Sequence, residues 1–396
     1  MIPLNDHREQ ADRMDFEFSK EQQDIRKAAR EFAEKEFPEV AREIDIKEEF
    51  PFDVWRKACG LGLIGCFIPE EYNGAGLGVT EHCLITEQFW TVDPGCGQCM
   101  ISAVIGAEVI ETNGTDEQKR RYLAPLPTGE MIMGIAITEP DAGSDTLAAR
   151  TSAAKDGDDY VINGAKTFIT NGDIAGFLVV YCLTRPEEEK PKDRYSMIVV
   201  ETDRPGYASN KLKDKLGIRA SDTSEVSFHE VRVPRKNLLG EDGAGFAYLM
   251  EFFNRSRITV ASAAVGLAQG AMVRAIRHIK GRRQFGKPLS EFQVNQFKIA
   301  EMATMIEAGR NLTYKAAAMA DKRNIDPGLV AMAKWFCGQA AVRSADEALQ
   351  MHGGYGYIGD YEISRFYRDA KILEIYEGTK EIEKQIVARE LLKRRF

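Results

Sequence analysis

The stretch ILEIYEGTKEIEK, residues 372–384, contains four glutamates, any of which could supply a catalytic carboxylate. Helical spacing runs up to Tyr376 and is interrupted at Gly378, after which Thr379 is placed to cap a new helix. Glu377 therefore lies at a predicted helix break, next to an aromatic side chain. A carboxylate at such a break is a candidate base, because it does not belong to a regular helix face.

The other three glutamates of this stretch have a simpler interpretation. Glu374, Glu381 and Glu383 lie within or beside regular helix, and Lys380 and Lys384 are placed to form ion pairs with that surface. Such a pattern predicts solvated helix charges. The local pattern thus separates the glutamate at the break from its neighbours.

The segment ITEPDAGSD, residues 137–145, is a second candidate for chemistry. Pro140 and Gly143 force a loop, while Thr138, Ser144 and nearby backbone N–H groups offer hydrogen bonds to a planar heterocycle or an anionic group. Taken alone, the segment is also compatible with a plain linker.

The segment TFITNG, residues 167–172, places an aromatic residue, a hydroxyl and an amide within a predicted strand. Phe168 could shield one face of a ring while Thr170 bonds to its edge. Alone, this pattern is equally that of a strand and a turn.

The segment GRRQFGKPL, residues 281–289, connects two predicted helices. Arg282 or Arg283 could bind a pyrophosphate with a planar guanidinium, and Phe285 could pack on an adenine or on a flavin edge. The alternative is a basic loop that ends a helix and carries solvated charge.

The segment QMHGGYGY, residues 350–357, pairs Gly353 with Gly354. Two adjacent glycines let a backbone approach a ligand closely, and their amides suit a diphosphate or adenosine. His352 has no second ligand at helical spacing, so a packed or surface histidine is expected and no metal site is predicted.

The elements that must position these motifs change character twice along the chain. From about residue 17 to 131, apolar residues recur at three- and four-residue steps, which predicts packed amphipathic helices. Between residues 132 and about 243, apolar runs predict a small antiparallel sheet or barrel, with hairpin turns at 156–157 (Asp-Gly) and 163–164 (Asn-Gly). Helical segments then predict an up-and-down bundle at residues 246–280, 291–321, 327–350 and 362–396.

Two further patterns favour structural over chemical roles. GLGLIG, residues 60–65, matches a dinucleotide-binding fingerprint, but a predicted helix precedes it where that fingerprint requires a strand. Cys96 and Cys99 form a C-x-x-C without a second ligand pair for zinc. The seven cysteines are therefore expected to be buried or free thiols in a reducing compartment.

Composition excludes several classes of protein. The chain has 396 residues, of which 44% are hydrophobic, enough for two or three domains with cores. Its net charge of -8, with basic and acidic residues interspersed, argues against a nucleic-acid partner. We expect a soluble, cytoplasmic protein with no membrane association, because no signal-type apolar segment and no stretch of about 20 apolar residues is apparent.

The motifs ITEPDAGSD, TFITNG, RRQFGKPL, QMHGGYGY and RDAKILEIYEGT, in this order, resemble those of the acyl-CoA dehydrogenase family from about Asp15 onward. The resemblance implies an α+β, mostly α fold. Its expected parts are an N-terminal extension (1–14), an N-terminal helical domain (15–131), a middle antiparallel β-barrel domain (132–243) and a C-terminal four-helix bundle (244–396).

The resemblance also implies FAD as the cofactor. Thr138 and Thr170 should bond to the flavin, with Phe168 against the isoalloxazine where many relatives carry Trp. Thr379 and Glu381 match a further cofactor contact. The positions that match contacts to the ADP half, largely across a dimer interface, are Arg282, Phe285, Gln293, Gln350, Gly353 and Gly354.

For the substrate, the resemblance implies Glu377 as the base that removes a proton next to the thioester carbonyl while hydride goes to flavin N5. A carboxylate in a dry pocket has a raised pKa, which suits this carbon-acid chemistry. Some branches place the base at the position of Ser256, which has no basic function here. Ser144, Asn254, Arg257 and Gly378 are the other expected contacts to the acyl-CoA, Asn254 standing where many relatives carry Asp.

The acyl group itself is predicted from the segment TVDPGCGQCM, residues 91–100. Gly97 occupies the place where branches that oxidise glutaryl-CoA carry an arginine, so a distal carboxylate is disfavoured. Cys96, Cys99 and Met100 suggest an adaptable apolar pocket for short, branched or cyclic acyl groups.

The resemblance implies transfer of electrons to an electron-transfer flavoprotein and assembly as a homotetramer, a dimer of dimers. The first alternative is an oxidase of the same fold that uses oxygen. A second alternative, of a different class, is a DNA-binding flavoprotein, against which the net charge of -8 argues. A scaffold without a cofactor is a third.

Overall fold

The computed structural model describes residues 17–393, so the predicted N-terminal extension at 1–14 lies outside the described residues. The first part of the chain is helical, as predicted. Ser19 and Gln22 form a capping box at the start of the first helix. The helices are α1 (Lys20–Lys47), α2 (Phe52–Gly60), α3 (Val79–Val92), α4 (Pro94–Ser102), α5 (Ala107–Asn113) and α6 (Asp116–Tyr122).

The middle part is an eight-stranded sheet. Along the sheet the strands lie in the order β6, β7, β3, β2, β4, β5 and β8, while β1 pairs with β4. The strands are β1 (Met133–Ala136), β2 (Ser152–Asp156), β3 (Asp159–Thr170), β4 (Phe177–Leu183), β5 (Tyr195–Glu201), β6 (Tyr207–Lys211), β7 (Thr223–Pro234) and β8 (Leu238–Leu239).

The sheet differs from the predicted antiparallel barrel in two ways. It is open, because β8 spans only two residues before the chain leaves for the C-terminal helices and is too short to form a closing seam. It is also mixed, because β1 and β2 both run parallel to β4.

One of the two predicted hairpin turns is correct. Residues 157 and 158 connect β2 to β3, with Gly157 at a φ of 59°. Asn163-Gly164 is instead inside β3, at a shift in its register with β7. The physical reason is close packing: a Cβ on Gly164 would lie 2.7 Å from the Cα of Thr151, so this glycine marks a bulge where another backbone approaches.

The C-terminal part contains the predicted bundle. Its last segment is broken, as the Glu377-Gly378 pattern predicted, into short helices on either side of residues 375–379. A two-stranded ribbon, β9 (Arg283–Gln284) with β10 (Lys287–Pro288), connects the first two helices. The helices are α7 (Gly245–Gly281), α8 (Gln293–Asp321), α9 (Pro327–His352), α10 (Ile363–Ala370) and α11 (Lys380–Leu392).

Helix α7 is the central helix of the molecule. Its length and composition would allow it to cross a membrane, but 72% of its apolar 18-residue stretch is buried inside the protein. Burial among other helices accounts for this apolar character, as in the core helix of a soluble protein.

The cysteines and the GLGLIG segment, residues 60–65, have the structural roles predicted for them. All seven cysteines are free and buried. In the described part of the chain no group of three or more His, Cys, Asp or Glu side chains could hold a metal ion. Helix α2 precedes residues 60–65, where Gly62 and Gly65 adopt positive φ angles after the helix ends.

The bulge at Gly164 generates a test of the β domain. Gly164→Val should lower the free energy of unfolding by about 2 kcal/mol or more, because the residue has a φ of 149° and its added atoms would overlap Thr151. Urea unfolding measures the loss. Gly157→Asn is the matched control, since that site is open and Asn tolerates its positive φ; equal stability of the two variants would contradict the assignment.

Candidate active site

The candidate base lies on a strained turn between two helices. Glu377 has a φ of 55° and Gly378 a φ of 106°, so both residues are in the left-handed region. Thr379 ends the turn by accepting a hydrogen bond from the N–H of Ile382 at 3.4 Å, which caps α11. Two consecutive left-handed residues cannot belong to a right-handed helix, so the short 3-10 turn at Lys371–Glu374 that follows α10 does not run on into α11.

Two buried cations donate hydrogen bonds to the backbone carbonyls of this turn. Arg257 Nε donates to the carbonyl of Glu377 at 2.8 Å, and Lys334 Nζ donates to the carbonyl of Gly378. Glu383, with 0% of its surface exposed, forms an ion pair with Arg257 at 3.1 Å. We refer to Arg257, Lys334 and Glu383 as the turn clamp.

Two glutamates that were predicted to be solvated helix charges are buried in the structure. Glu383 was predicted to be a solvated helix charge and is instead fully buried, because α11 packs this face against α9. Burial raises the pKa of Glu383, and Arg257 and Lys334 oppose that rise. Glu374 was also predicted to be a solvated helix charge and is instead buried, at 8% exposure, where it pairs with Lys371 and Lys380.

The carboxylate of Glu377 lines a cavity of about 60 Å³ between the N-terminal helices and α7. Helix α4 contributes Gln98, Ile101 and Ser102 to its wall. The other lining residues are Phe67, His82, Thr86, Trp90, Val104, Ile105, Glu108, Phe252, Ser256, Thr259, Val260, Ala263 and Tyr376.

The environment of Glu377 suits a base that must hold a proton. Burial raises the pKa of this carboxyl, while a hydrogen bond from Ser256 and the charges of Arg257 and Lys334 oppose the rise. Ser256 Oγ donates to Glu377 Oε2 at 2.6 Å. The two positions considered for the base in the sequence thus meet in the structure, with the serine as a hydrogen-bond donor to the glutamate.

The prediction that Cys96, Cys99 and Met100 line the acyl pocket is wrong. All three are fully buried in the core of the N-terminal helices and none lines the cavity. The cause is helical phase: residues 98, 101 and 102 share one face of α4, and the three sulphur-bearing residues point elsewhere.

The residues predicted to bind the flavin ring come together near the C-terminal end of β3. The carbonyl of Thr138 accepts from the N–H of Thr167 at 2.9 Å, which joins the ITEPDAGSD loop to the start of TFITNG. Phe168 has a φ of 58° at a second bulge in β3, and its side chain is 68% exposed. Thr170 is half-buried and Ser144 exposed. A bulge that turns an aromatic ring outward leaves a face against which a planar cofactor fits.

A buried ion pair fixes that loop, and sequence reasoning missed it. Lys166 Nζ lies 2.9 Å from Glu139 Oε1, and both side chains are almost entirely buried. The backbone N–H groups of Arg150 and Thr151 donate to the same carboxylate at 2.7 and 2.8 Å. Burial opposes ionisation of Glu139, but Lys166 and these donors keep its pKa below the ordinary value.

The residues predicted to contact the ADP half form a second, exposed group. Arg282 lies over the ring of Tyr355 at 5.5 Å, so the β9–β10 ribbon lies beside the turn after α9. Phe285 is 93% exposed. The space beside the backbone of Gly353 and Gly354 is open, because a Cβ added to either residue would meet no atom within 4 Å. Gln293, Gln350 and Glu381 are also exposed.

The remaining predicted contacts differ in exposure. Asn254 is half-buried on α7, and Arg257 is only 6% exposed inside the turn clamp. Contact of Arg257 with the CoA phosphates stays a prediction, whereas its support of the Glu377 turn is observed. The pKa of His352 is lowered by burial and its ring stacks on His278, as expected for a packed histidine.

The buried Lys166–Glu139 pair generates a stability prediction. Lys166→Met should lower the free energy of unfolding by about 3 kcal/mol or more, because it leaves the Glu139 carboxylate buried without its cation. Urea unfolding measures the loss. The double variant Glu139→Gln with Lys166→Met should recover part of it, and an unchanged stability of the single variant would contradict the role of the pair.

Comparison with known proteins now gives the site a family. Sequence models of the N-terminal, middle and C-terminal domains of acyl-CoA dehydrogenases match residues 19–130, 134–231 and 243–392. The acryloyl-CoA reductase (NADH) of Anaerotignum propionicum is 42% identical over 100% of both chains.

Two solved structures show the same fold. The butyryl-CoA dehydrogenase of Megasphaera elsdenii superposes with a TM-score of 0.92 at 37% identity, covering 96% of this chain and 100% of that one. A chain from a structure of the electron-transferring flavoprotein of Acidaminococcus fermentans gives 0.93 at 40% identity, covering 96% and 100%. The chain belongs to the acyl-CoA dehydrogenase family, FAD flavoproteins that act as oxidoreductases on the CH–CH bond of acyl-CoA thioesters.

Proposed function

We propose that the chain introduces an α,β double bond into a short acyl-CoA thioester, with Glu377 as the base. The observation that carries the proposal is the position of Glu377, a buried carboxylate with a raised pKa that lines a mostly apolar cavity from a clamped turn. Proton abstraction next to a carbonyl needs a base of raised pKa that water does not surround. Glu377 Oε1 or Oε2 takes the proton, and Ser256 bonds to the carboxylate.

The size of the cavity favours a short acyl group. About 60 Å³ is well below the roughly 150 Å³ of an engineered cavity that accepts benzene. Two of the similar proteins act on short thioesters by their names, acryloyl-CoA and butyryl-CoA. We therefore assign a short acyl group to this cavity.

A distal carboxylate is disfavoured on the acyl group. A Cβ on Gly97 would lie 2.9 Å from the ring of Trp90, so a cationic side chain does not fit at that place. Glu108, a second acidic residue, also lines the cavity. A carboxylated acyl group would therefore meet an acid without a partner cation.

The chain's own residues supply the setting for the cofactor. When bound, FAD supplies the acceptor for the hydride that leaves the β carbon. Thr138 and Thr170 would bond to the flavin edge and Phe168 would pack on its ring, in a site next to the buried Lys166–Glu139 pair. The backbone N–H of Glu377 is assigned to the thioester oxygen, where it stabilises developing negative charge.

We also propose an electron-transfer flavoprotein as the electron acceptor, a homotetramer as the assembly and the cytoplasm as the location. The similar chain from the Acidaminococcus flavoprotein structure supports the first. Phe285 and Tyr357, 93% and 88% exposed, are side chains that a neighbouring copy would bury in such an assembly. Oxygen use remains the alternative, for which peroxide equal to substrate consumed would be the sign.

The test is anaerobic titration of the purified flavoprotein with acyl-CoAs while flavin absorbance is followed. Butyryl-CoA should bleach the flavin of the native chain. Glu377→Gln should keep FAD and CoA binding and lose bleaching by a factor of about 10³ or more, because the amide cannot accept the proton.

Glu251→Gln provides the control for the same chemical change, since Glu251 is exposed on α7. It should bleach like the native chain. Retention of rapid bleaching by Glu377→Gln would assign the base to another residue.

The Ser256 hydrogen bond generates a pH prediction. Because this bond lowers the pKa of Glu377, Ser256→Ala should raise that pKa and move the acid limb of kcat/KM to higher pH. Activity is lost as the pH falls through the pKa of the base, so the variant should be most impaired on the acidic side and recover as the pH rises. A limb that stays in place or moves to lower pH would contradict the arrangement.

A further inference from the structure

The acyl cavity contains polar groups that the proposed reaction does not use. Ser102 is 3% exposed, and its Oγ has no hydrogen-bond partner among the described residues. Glu108 Oε2 is buried and also has no partner in that part of the chain. Both residues line the cavity that Glu377 faces. Native proteins satisfy nearly all buried polar atoms, so these two oxygens in one small cavity are available to bond to a ligand that enters it.

Glu108 lies in the first turn of α5, in a largely apolar wall. Burial raises its pKa to about 7, and Arg255 opposes that rise while Glu377 adds to it. Arg255 itself pairs with Glu111 at 3.1 Å. Glu108 is therefore a carboxyl at the boundary of ionisation, with some positive charge already near it.

The neighbouring histidine limits what the cavity can accept. His82 is 6% exposed and lines the same wall, and burial lowers its pKa to about 4. It is neutral at physiological pH and provides no positive charge for an anionic acyl group. A substrate carboxylate would face Glu108 and Glu377 with neither a lysine nor an arginine among the residues that line the cavity.

A hydroxyl matches these groups better than a hydrocarbon or a cation does. A hydroxyl is both a donor and an acceptor, so it offers a partner to the Glu108 carboxyl and to the Ser102 hydroxyl. A methyl group would leave both unpaired. A cation would add positive charge where Arg255 already offsets Glu108.

We propose that Ser102 and Glu108 form a polar subsite that selects a short acyl-CoA with a hydroxyl group on its distal carbon. The inference rests on the proposed dehydrogenation at the same cavity and names its substrate class. Sites built to bond a substrate hydroxyl discriminate strongly against analogues that lack it, because their own polar groups are then left unpaired.

The experiment compares 4-hydroxybutyryl-CoA with valeryl-CoA, whose acyl groups have the same number of heavy atoms and differ by a hydroxyl in place of a methyl. The native flavoprotein should show a kcat/KM at least about 10-fold higher for the hydroxylated thioester. Glu108→Met should reverse this preference, and Ser102→Ala should reduce it. Glu251→Met, the same change at an exposed site, should leave the ratio unchanged.

Binding gives a second readout that does not need turnover. Calorimetric titration of Glu377→Gln should give a Kd for 4-hydroxybutyryl-CoA about 10-fold below that for valeryl-CoA, and adding Glu108→Met should remove the difference. Flavin absorbance and thermal unfolding confirm that each variant is folded.

The outcomes separate this inference from the proposed function. Bleaching by butyryl-CoA with equal or better use of valeryl-CoA would overturn the polar subsite alone. Absence of bleaching with every acyl-CoA would overturn the proposed function, and the calorimetric ratio would still support or overturn the subsite.

Discussion

The active site depends on the way that two buried cations hold two consecutive carbonyls. Arg257 on α7 and Lys334 on α9 donate to the carbonyls of Glu377 and Gly378, and Glu383 on α11 neutralises part of their charge. Three helices of the bundle therefore meet at the turn that carries the base. Removing one member of this buried group would leave a charge without a partner, which is costly. The group therefore keeps the turn in its strained, left-handed conformation. The direction of the Glu377 carboxylate follows from the packing of the bundle.

Local patterns predicted the helix break, the order of the helical and β parts, and the two motifs that meet near the end of β3. They did not predict which charges are buried. Glu383 and Glu374 have the spacing of solvated helix residues, and only the packing of α11 and of the preceding turn against α9 shows otherwise. Asn163-Gly164 has the composition of a hairpin turn, yet its glycine is required by close contact with Thr151, the residue before β2. Tertiary contacts override local preference at each of these places.

The sequence also did not predict which side chains of α4 line the acyl cavity. The sequence identified the correct segment for the acyl pocket, α4, but the wrong face of it. A helix turns 100° per residue, so residues 98, 101 and 102 reach the cavity while 96, 99 and 100 enter the core. Apolar residues on both faces of α4 hide this phase, because a helix buried all round has no polar side to orient it. Glu108 could have been noticed as an acid between apolar residues, but Ser102, which lines the same cavity, lies on a separate helix.

The exposed ring of Phe168 has a consequence for the stability of the protein. The free chain presents an aromatic side chain, 68% exposed, on a backbone already bent into a left-handed conformation. Any molecule that covers this ring binds the folded chain and not the unfolded one, and so adds to its stability by mass action. Flavin bound at the proposed position would therefore raise the stability of the folded chain as its concentration rises.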